Sequence, residues 1–178
     1  MLLSFTNICR TLLVSLLIIT GVCSSPELIT AASTTPQTQL SLLVDEPTVV
    51  SIEQYEDNIQ GVNWVTSQEY LNLLTENLQP FILYIGSWMC KYCRAASTEL
   101  SMFISKASIP VYYLDTVDSF EDTSSANIDD ILETLAPYKL QGTPTFYAFS
   151  KATPIAEFIG ATVTLSDLVN LENKALAY

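Results

Sequence analysis

The sequence predicts an α/β fold, a mixed central sheet with helices on both faces. Three observations predict it. Segments of helical periodicity alternate with short β-branched and aromatic runs from Val62 to the C-terminus. One of those runs, Phe81-Ile82-Leu83-Tyr84-Ile85, is apolar at every position, as a strand buried on both sheet faces must be. The last two runs, over 146–149 and 155–160, are joined by so short a connection that they must pair as an antiparallel hairpin.

The elements follow in order. Val49-Val50-Ser51-Ile52 is a short β-branched run, with a helical turn over 53–58 as the alternative. Val62-Asn63-Trp64-Val65 reads as a first strand. Thr66-Ser67-Gln68-Glu69 is then a capping box, with Thr66 as cap and Glu69 reaching back. Tyr70, Leu71, Leu74 and Leu78 recur at helical spacing, so a helix runs over about 67–78 until Pro80 ends it. After the apolar strand at 81–85, Gly86-Ser87-Trp88-Met89 turns the chain into a helix whose stripe is Cys93, Leu100, Phe103 and Ile104. Residues 109–114 form another apolar strand, 118–125 an acidic, Ser-rich loop, and Ile128, Ile131, Leu132 and Leu135 an amphipathic helix stopped before Pro137. Gly142-Thr143-Pro144-Thr145 introduces the hairpin. A last helix begins near Ser166, with Leu168, Leu171, Ala175 and Leu176 on one side.

Composition excludes several function classes. The chain has 178 residues, 49% of them hydrophobic, and a formal net charge of -12 with no histidine. Its seven Lys and Arg are scattered, and none lies between Arg10 and Lys91, so nothing could neutralise a run of nucleic-acid phosphates or hold an anionic lipid surface. Zinc is equally disfavoured. Cys9 and Cys23 fall in the N-terminal appendage, and the remaining pair supplies only half of a tetrahedral site unless two chains combine. No metal and no organic cofactor is expected.

That remaining pair, Cys90-Lys91-Tyr92-Cys93, carries the chemistry. It stands at the start of a helix, where unpaired N–H groups and a partial positive charge favour thiolate. Three residues on, Cys93 returns within bonding reach of Cys90, so the pair can pass between dithiol and disulfide without disturbing the fold.

The N-terminus reads as an export address. Arg10 precedes an apolar core over 11–22, and Cys23-Ser24-Ser25-Pro26 follows. Cleavage after Ser24, retention of residues 1–24 as a membrane anchor, and lipid attachment at Cys23 are the alternatives, although Val22 stands where lipid-modified signals carry a smaller residue. In each case the rest faces outward, at the extracellular face of the membrane or secreted, with membrane contact only through this segment. Residues 25–61 are expected to be a flexible acidic tether, richest in Ser, Thr and Pro up to Val44, and 62–178 the folded domain.

A Cys-x-x-Cys opening a helix after a buried strand, followed about fifty residues later by Gly142-Thr143-Pro144-Thr145 ahead of a hairpin, resembles the thioredoxin superfamily over roughly 62–178. Tyr84-Ile85-Gly86-Ser87 and the Lys91-Tyr92 dipeptide look most like exported thioredoxin-like proteins of Gram-positive bacteria, including the bacteriocin transport accessory family. The resemblance implies a three-layer sandwich in which Pro144 is cis and lies against the thiols, and the Thr143 backbone pairs with an extended substrate segment. Cys90 is then the nucleophile and Cys93 the resolving thiol. Lys91 and Arg94 are expected to lend positive charge to the pair, and Trp88 and Tyr92 either form an apolar rim for substrate or, for Trp88, pack the loop. Where thioredoxins place a buried acid and, on the next strand, a lysine, this chain has Tyr84 and Tyr113, and a phenol is a poor base at neutral pH.

The expected function is therefore exported thiol–disulfide exchange with cysteine-containing proteins or peptides, supported by a redox partner protein. The alternative is an accessory or immunity module that binds a secreted peptide or its exporter without using the thiols. A glutaredoxin-like use of glutathione is a third, with Tyr92 matching a glutaredoxin dipeptide but Lys91 standing in place of proline.

Overall fold

Side-chain alternation along the strands decides the layering. The computed structural model describes residues 47–121, 125–136 and 138–178; the segment 1–24, Cys9, Cys23 and the tether residues 25–46 lie outside the described residues. In chain order the elements are α1 (Ile52–Asn58), β1 (Asn63–Trp64), α2 (Ser67–Glu76), β2 (Phe81–Gly86), α3 (Lys91–Ile104), β3 (Val111–Asp115), α4 (Asp118–Glu121), α5 (Ser125–Thr134), β4 (Thr145–Ser150), β5 (Thr153–Ile159) and α6 (Leu165–Ala177). The five strands stand in the order β1-β3-β2-β4-β5. β2 lies at the centre, parallel to β3 and antiparallel to β4, while β1 is parallel to β3 and β5 antiparallel to β4.

Every residue of β2 is buried, as its unbroken apolar run requires. Ile82 and Tyr84 point to one face, where they meet Cys93, Ala96, Leu100 and Phe103 of α3, Tyr55 of α1 and Leu168 and Leu171 of α6. Phe81, Leu83 and Ile85 point to the other, against Tyr70 of α2 and Ile131 of α5. Two cores on opposite faces of one mixed sheet make the expected three-layer sandwich.

The caps follow the sequence closely. Thr66 accepts the Glu69 N–H at 3.2 Å while Glu69 accepts the Thr66 N–H at 2.8 Å, and Thr164 and Asp167 repeat the device at the start of α6. Buried Glu172 ties α6 to the entrance of β3, accepting from the Ser108 N–H at 2.6 Å, the Ser108 hydroxyl at 2.8 Å and the Ile109 N–H at 3.3 Å.

Two expectations need correction. The folded domain does not wait until residue 62, because α1 is a capped helix whose Tyr55 is wholly buried in the α3 core. Its other positions are mostly polar and exposed, so the run carries almost no periodic signal. Within the loop expected over 118–125, residues Asp118–Glu121 form a turn of helix. The Asp115 carboxylate accepts the Val117 and Asp118 N–H groups at 2.7 and 3.0 Å just ahead of it, satisfying backbone donors that a plain loop would leave to water.

Candidate active site

Gly86 closes β2, and the turn that follows delivers Cys90 to the N-cap of α3. The Ser87 hydroxyl accepts the Met89 N–H at 3.1 Å and the Ser87 carbonyl accepts the Cys90 N–H at 3.1 Å, so the turn is fixed from within. At the cap, the Cys90 sulfur takes the place usually held by a Ser or Asp oxygen and accepts the Cys93 N–H at 3.4 Å. Cys93, one turn along, is fully buried, and both residues are free thiols.

The second half of the site comes from the segment before β4. The Thr143–Pro144 peptide is cis. Thr145 donates to the Gly142 carbonyl at 2.6 Å and the Gly160 N–H donates to the Pro144 carbonyl at 2.9 Å, which hold this segment against the sheet. Thr143 thereby meets Cys90 twice. Its hydroxyl donates to the Cys90 sulfur at 3.3 Å, and the Cys90 thiol lies 3.5 Å from its carbonyl oxygen.

These contacts separate the two thiols chemically. Burial alone would raise Cys90, but the Thr143 hydroxyl, the Cys93 thiol and the N–H groups of Cys93 and Tyr92 outweigh it and bring the thiol below its ordinary value. Burial pushes Cys93 up to about 12, and the neighbouring Cys90 sulfur reinforces the rise. One cysteine is thus predisposed to attack while its partner stays protonated.

The flanking residues play different parts from those expected. Arg94 does not reach the thiols: its guanidinium donates to the carbonyls of Val50 at 3.0 Å, Trp88 at 3.1 Å and Met89 at 3.4 Å, clamping the turn to the chain entering α1. The Lys91 ammonium stands over the Tyr92 ring, 4.9 Å from its centre. The donors that lower the Cys90 thiol are uncharged, the Thr143 hydroxyl first among them. Trp88 is half-buried and packs against the α3 core, whereas Tyr92 at 51% and Met89 at 61% exposure stand open to solvent.

Beneath the pair lies a polar cluster that sequence reading caught only in part. Tyr84 and Tyr113 do face each other on β2 and β3, their rings stacked at 4.8 Å. Joined to them are Tyr55 and Asp115, which the sequence reading missed. The Tyr55 hydroxyl lies 2.9 Å from that of Tyr84 and donates to that of Tyr113 at 2.9 Å, and Tyr113 donates to Asp115 at 2.5 Å. The available signal was the strand period, which puts Tyr113 and Asp115 on one face.

No family model matches the chain. Among solved structures, it is similar to a protein described as a candidate oxidoreductase with a thioredoxin fold, at 14% identity and a TM-score of 0.51 over 66% of this chain and 96% of that one. It is also similar to the long form of thioredoxin f from spinach chloroplast, at 15% identity and a TM-score of 0.50 over 72% of this chain and 98% of that one. The fold is that of thioredoxin.

Proposed function

We propose that this protein exchanges disulfides with cysteine-containing proteins or peptides through Cys90 and Cys93. The observation that carries the reading is the asymmetry of the pair: Cys90 is capped by the Cys93 N–H and the Thr143 hydroxyl, while Cys93 is buried one turn away. In the oxidising half of the cycle the Cys90 thiolate attacks a substrate disulfide, forms a mixed disulfide and releases one substrate thiolate. Cys93 then attacks the Cys90 sulfur, the second substrate thiolate leaves, and the chain holds the Cys90–Cys93 disulfide while the substrate has gained two electrons. Run backwards, the same steps oxidise a dithiol.

Substrate recognition on this reading is local and backbone-directed. An extended segment would lie along Thr143 and Pro144, beside the exposed rim of Tyr92 and Met89, with Lys91 at its edge. The apolar segment at 11–22 after Arg10 motivates placing this activity outside the cytoplasm, where disulfide-bearing substrates are plentiful. The resemblance of Tyr84-Ile85-Gly86-Ser87 and the Lys91-Tyr92 dipeptide to the bacteriocin transport accessory family adds secreted peptides as a substrate class to try.

The test is the reduction potential of the pair in the full chain, by thiol trapping across redox buffers. A midpoint near about -120 to -180 mV makes the protein an oxidant or isomerase, and one near about -270 mV a reductase. If no Cys90–Cys93 disulfide forms anywhere in the range, the enzyme reading fails and a binding role on the same fold replaces it.

A further inference from the structure

The Tyr147 hydroxyl and the Glu157 Oε2 are both shielded from solvent, and neither has a hydrogen-bond partner among the described residues. They stand directly opposite each other on β4 and β5. Tyr147 is wholly buried in the core under α2 and α5, so Glu157 turns its carboxylate to that same face of the sheet. Burial raises the Glu157 carboxyl above its ordinary value, and burial together with the Glu157 charge pushes the Tyr147 phenol up to about 12. A carboxylate and a phenol placed in this way cost free energy until a donor reaches them.

The backbone beside them is unpaired as well. β5 is an edge strand of the sheet. Because the Gly160 N–H bonds the Pro144 carbonyl, the antiparallel alternation has Ala156 and Phe158 bond β4, while Glu157 and Ile159 turn their N–H and C=O groups outward. The first half of the strand is closed: Pro154 has no N–H to offer, and the Ile155 carbonyl is taken by the Tyr138 hydroxyl at 2.7 Å. Among the described residues the stretch 157–159 has no such cover, and both Glu157 and Ile159 are partly exposed. It leads to the thiols, since Gly160 holds Pro144 and the neighbouring Thr143 touches Cys90.

We propose that this edge is a docking strand for an extended segment of a partner protein that carries an Arg opposite Glu157. The segment pairs with the outward N–H and C=O groups of Glu157 and Ile159 as an added strand. Its guanidinium has N–H donors enough for the Glu157 carboxylate and the Tyr147 oxygen together, which a neutral side chain or a point charge serves less well. The formal net charge of -12 draws a basic segment toward the protein, and the half-buried carboxylate then selects where it settles. A second copy of this chain is a poor occupant, because its own 157–159 edge brings another carboxylate and no cation.

The test follows backbone amides by NMR in the isotope-labelled full chain. The probe is a short Thr- and Val-rich peptide, acetylated and amidated, with one central Arg and no Cys. The expected result is a shift of the Glu157, Phe158 and Ile159 amides, and binding at least about tenfold tighter than that of the same peptide with Gln for Arg, the gap that charge-assisted bonds give. Glu157→Gln closes that gap. Glu76→Gln, which removes an exposed carboxylate from α2, leaves it open. Flanking the Arg with Pro on both sides abolishes binding, because such a peptide cannot join the ladder. The proposal is overturned by an Arg preference that survives Glu157→Gln, by shifts spread over the acidic surface, or by no shift at millimolar peptide. The probe has no sulfur, so Cys90→Ser binds it equally, and a failure of disulfide exchange leaves this result standing.

Discussion

Replacing Gly86 by Ala tests whether the floor of the thiol turn is as tightly built as its geometry says. A Cβ at that position falls against the Tyr84 hydroxyl oxygen, 2.6 Å from Cζ and 2.8 Å from Cε2. The ring cannot step aside, since it is fully buried and stacked between Tyr113 at 4.8 Å and Phe146 at 4.9 Å. Overpacking of this kind costs about 1–3 kcal/mol. Pulling the hydroxyl off Tyr55 adds about 1 kcal/mol. The expected loss is therefore about 2–4 kcal/mol, a large share of the ~5–15 kcal/mol typical of a domain. At about 4 °C per kcal/mol for a domain of this size, the melting temperature drops by about 8–16 °C. Urea unfolding of the dithiol form measures it directly. Adding Tyr84→Phe recovers only part of the loss, because Cζ still stands 2.6 Å from the new methyl. A loss below about 0.5 kcal/mol in the single variant would refute the reasoning, since the ring would then have to be free to move.

Thr143→Val removes the hydroxyl donor at 3.3 Å from the Cys90 sulfur, raises the Cys90 thiol and slows its alkylation by iodoacetamide at pH 7 by about fivefold, the effect of roughly 1 kcal/mol for a half-exposed charge-assisted bond. Unfolding at alkaline pH is expected to begin above about 9 and steepen above 10. The Cys93 thiol, raised from 9.0 to about 12, and the buried phenols of Tyr55, Tyr70, Tyr84, Tyr113 and Tyr147, raised from 10.0, keep protons in the folded state that the unfolded chain releases. The urea midpoint followed from pH 7 to 11, with tyrosinate absorbance alongside, checks this; a flat midpoint contradicts it. Glu172→Ala deprives two backbone N–H groups and the Ser108 hydroxyl of their acceptor and lowers stability by about 2–4 kcal/mol in the same unfolding assay.

What the sequence made legible was what local rules govern. The capping box at Thr66 and Glu69, the all-apolar β2 and the position of the thiols depend on residues within one turn or one strand, and each stands where its spacing put it. What it hid depends on residues far apart in the chain. Tyr55 is one aromatic in a polar heptapeptide, and its place becomes apparent only when β2 and β3 bring Tyr84 and Tyr113 beneath it. Asp115 falls between the strand expected over 109–114 and the acidic loop expected over 118–125, where no local pattern marks it; in the folded chain it is buried and ends a hydrogen-bonded row. The charges beside the thiols misled in the opposite sense. Proximity in sequence suggested that Lys91 and Arg94 stabilise the thiolate, but Arg94 has three carbonyls to satisfy and Lys91 an aromatic face to cover.

The grip of Arg94 has a mechanical consequence. With one hand on the Val50 carbonyl and the other on the Trp88 and Met89 carbonyls, it couples the point where the chain enters the domain to the loop that presents Cys90. Pro47 and Val49 run alongside Lys91 and Tyr92, so the segment leading into α1 borders the two residues between the thiols. A shift of the segment leading into α1 is thereby passed to the reactive turn through a single side chain.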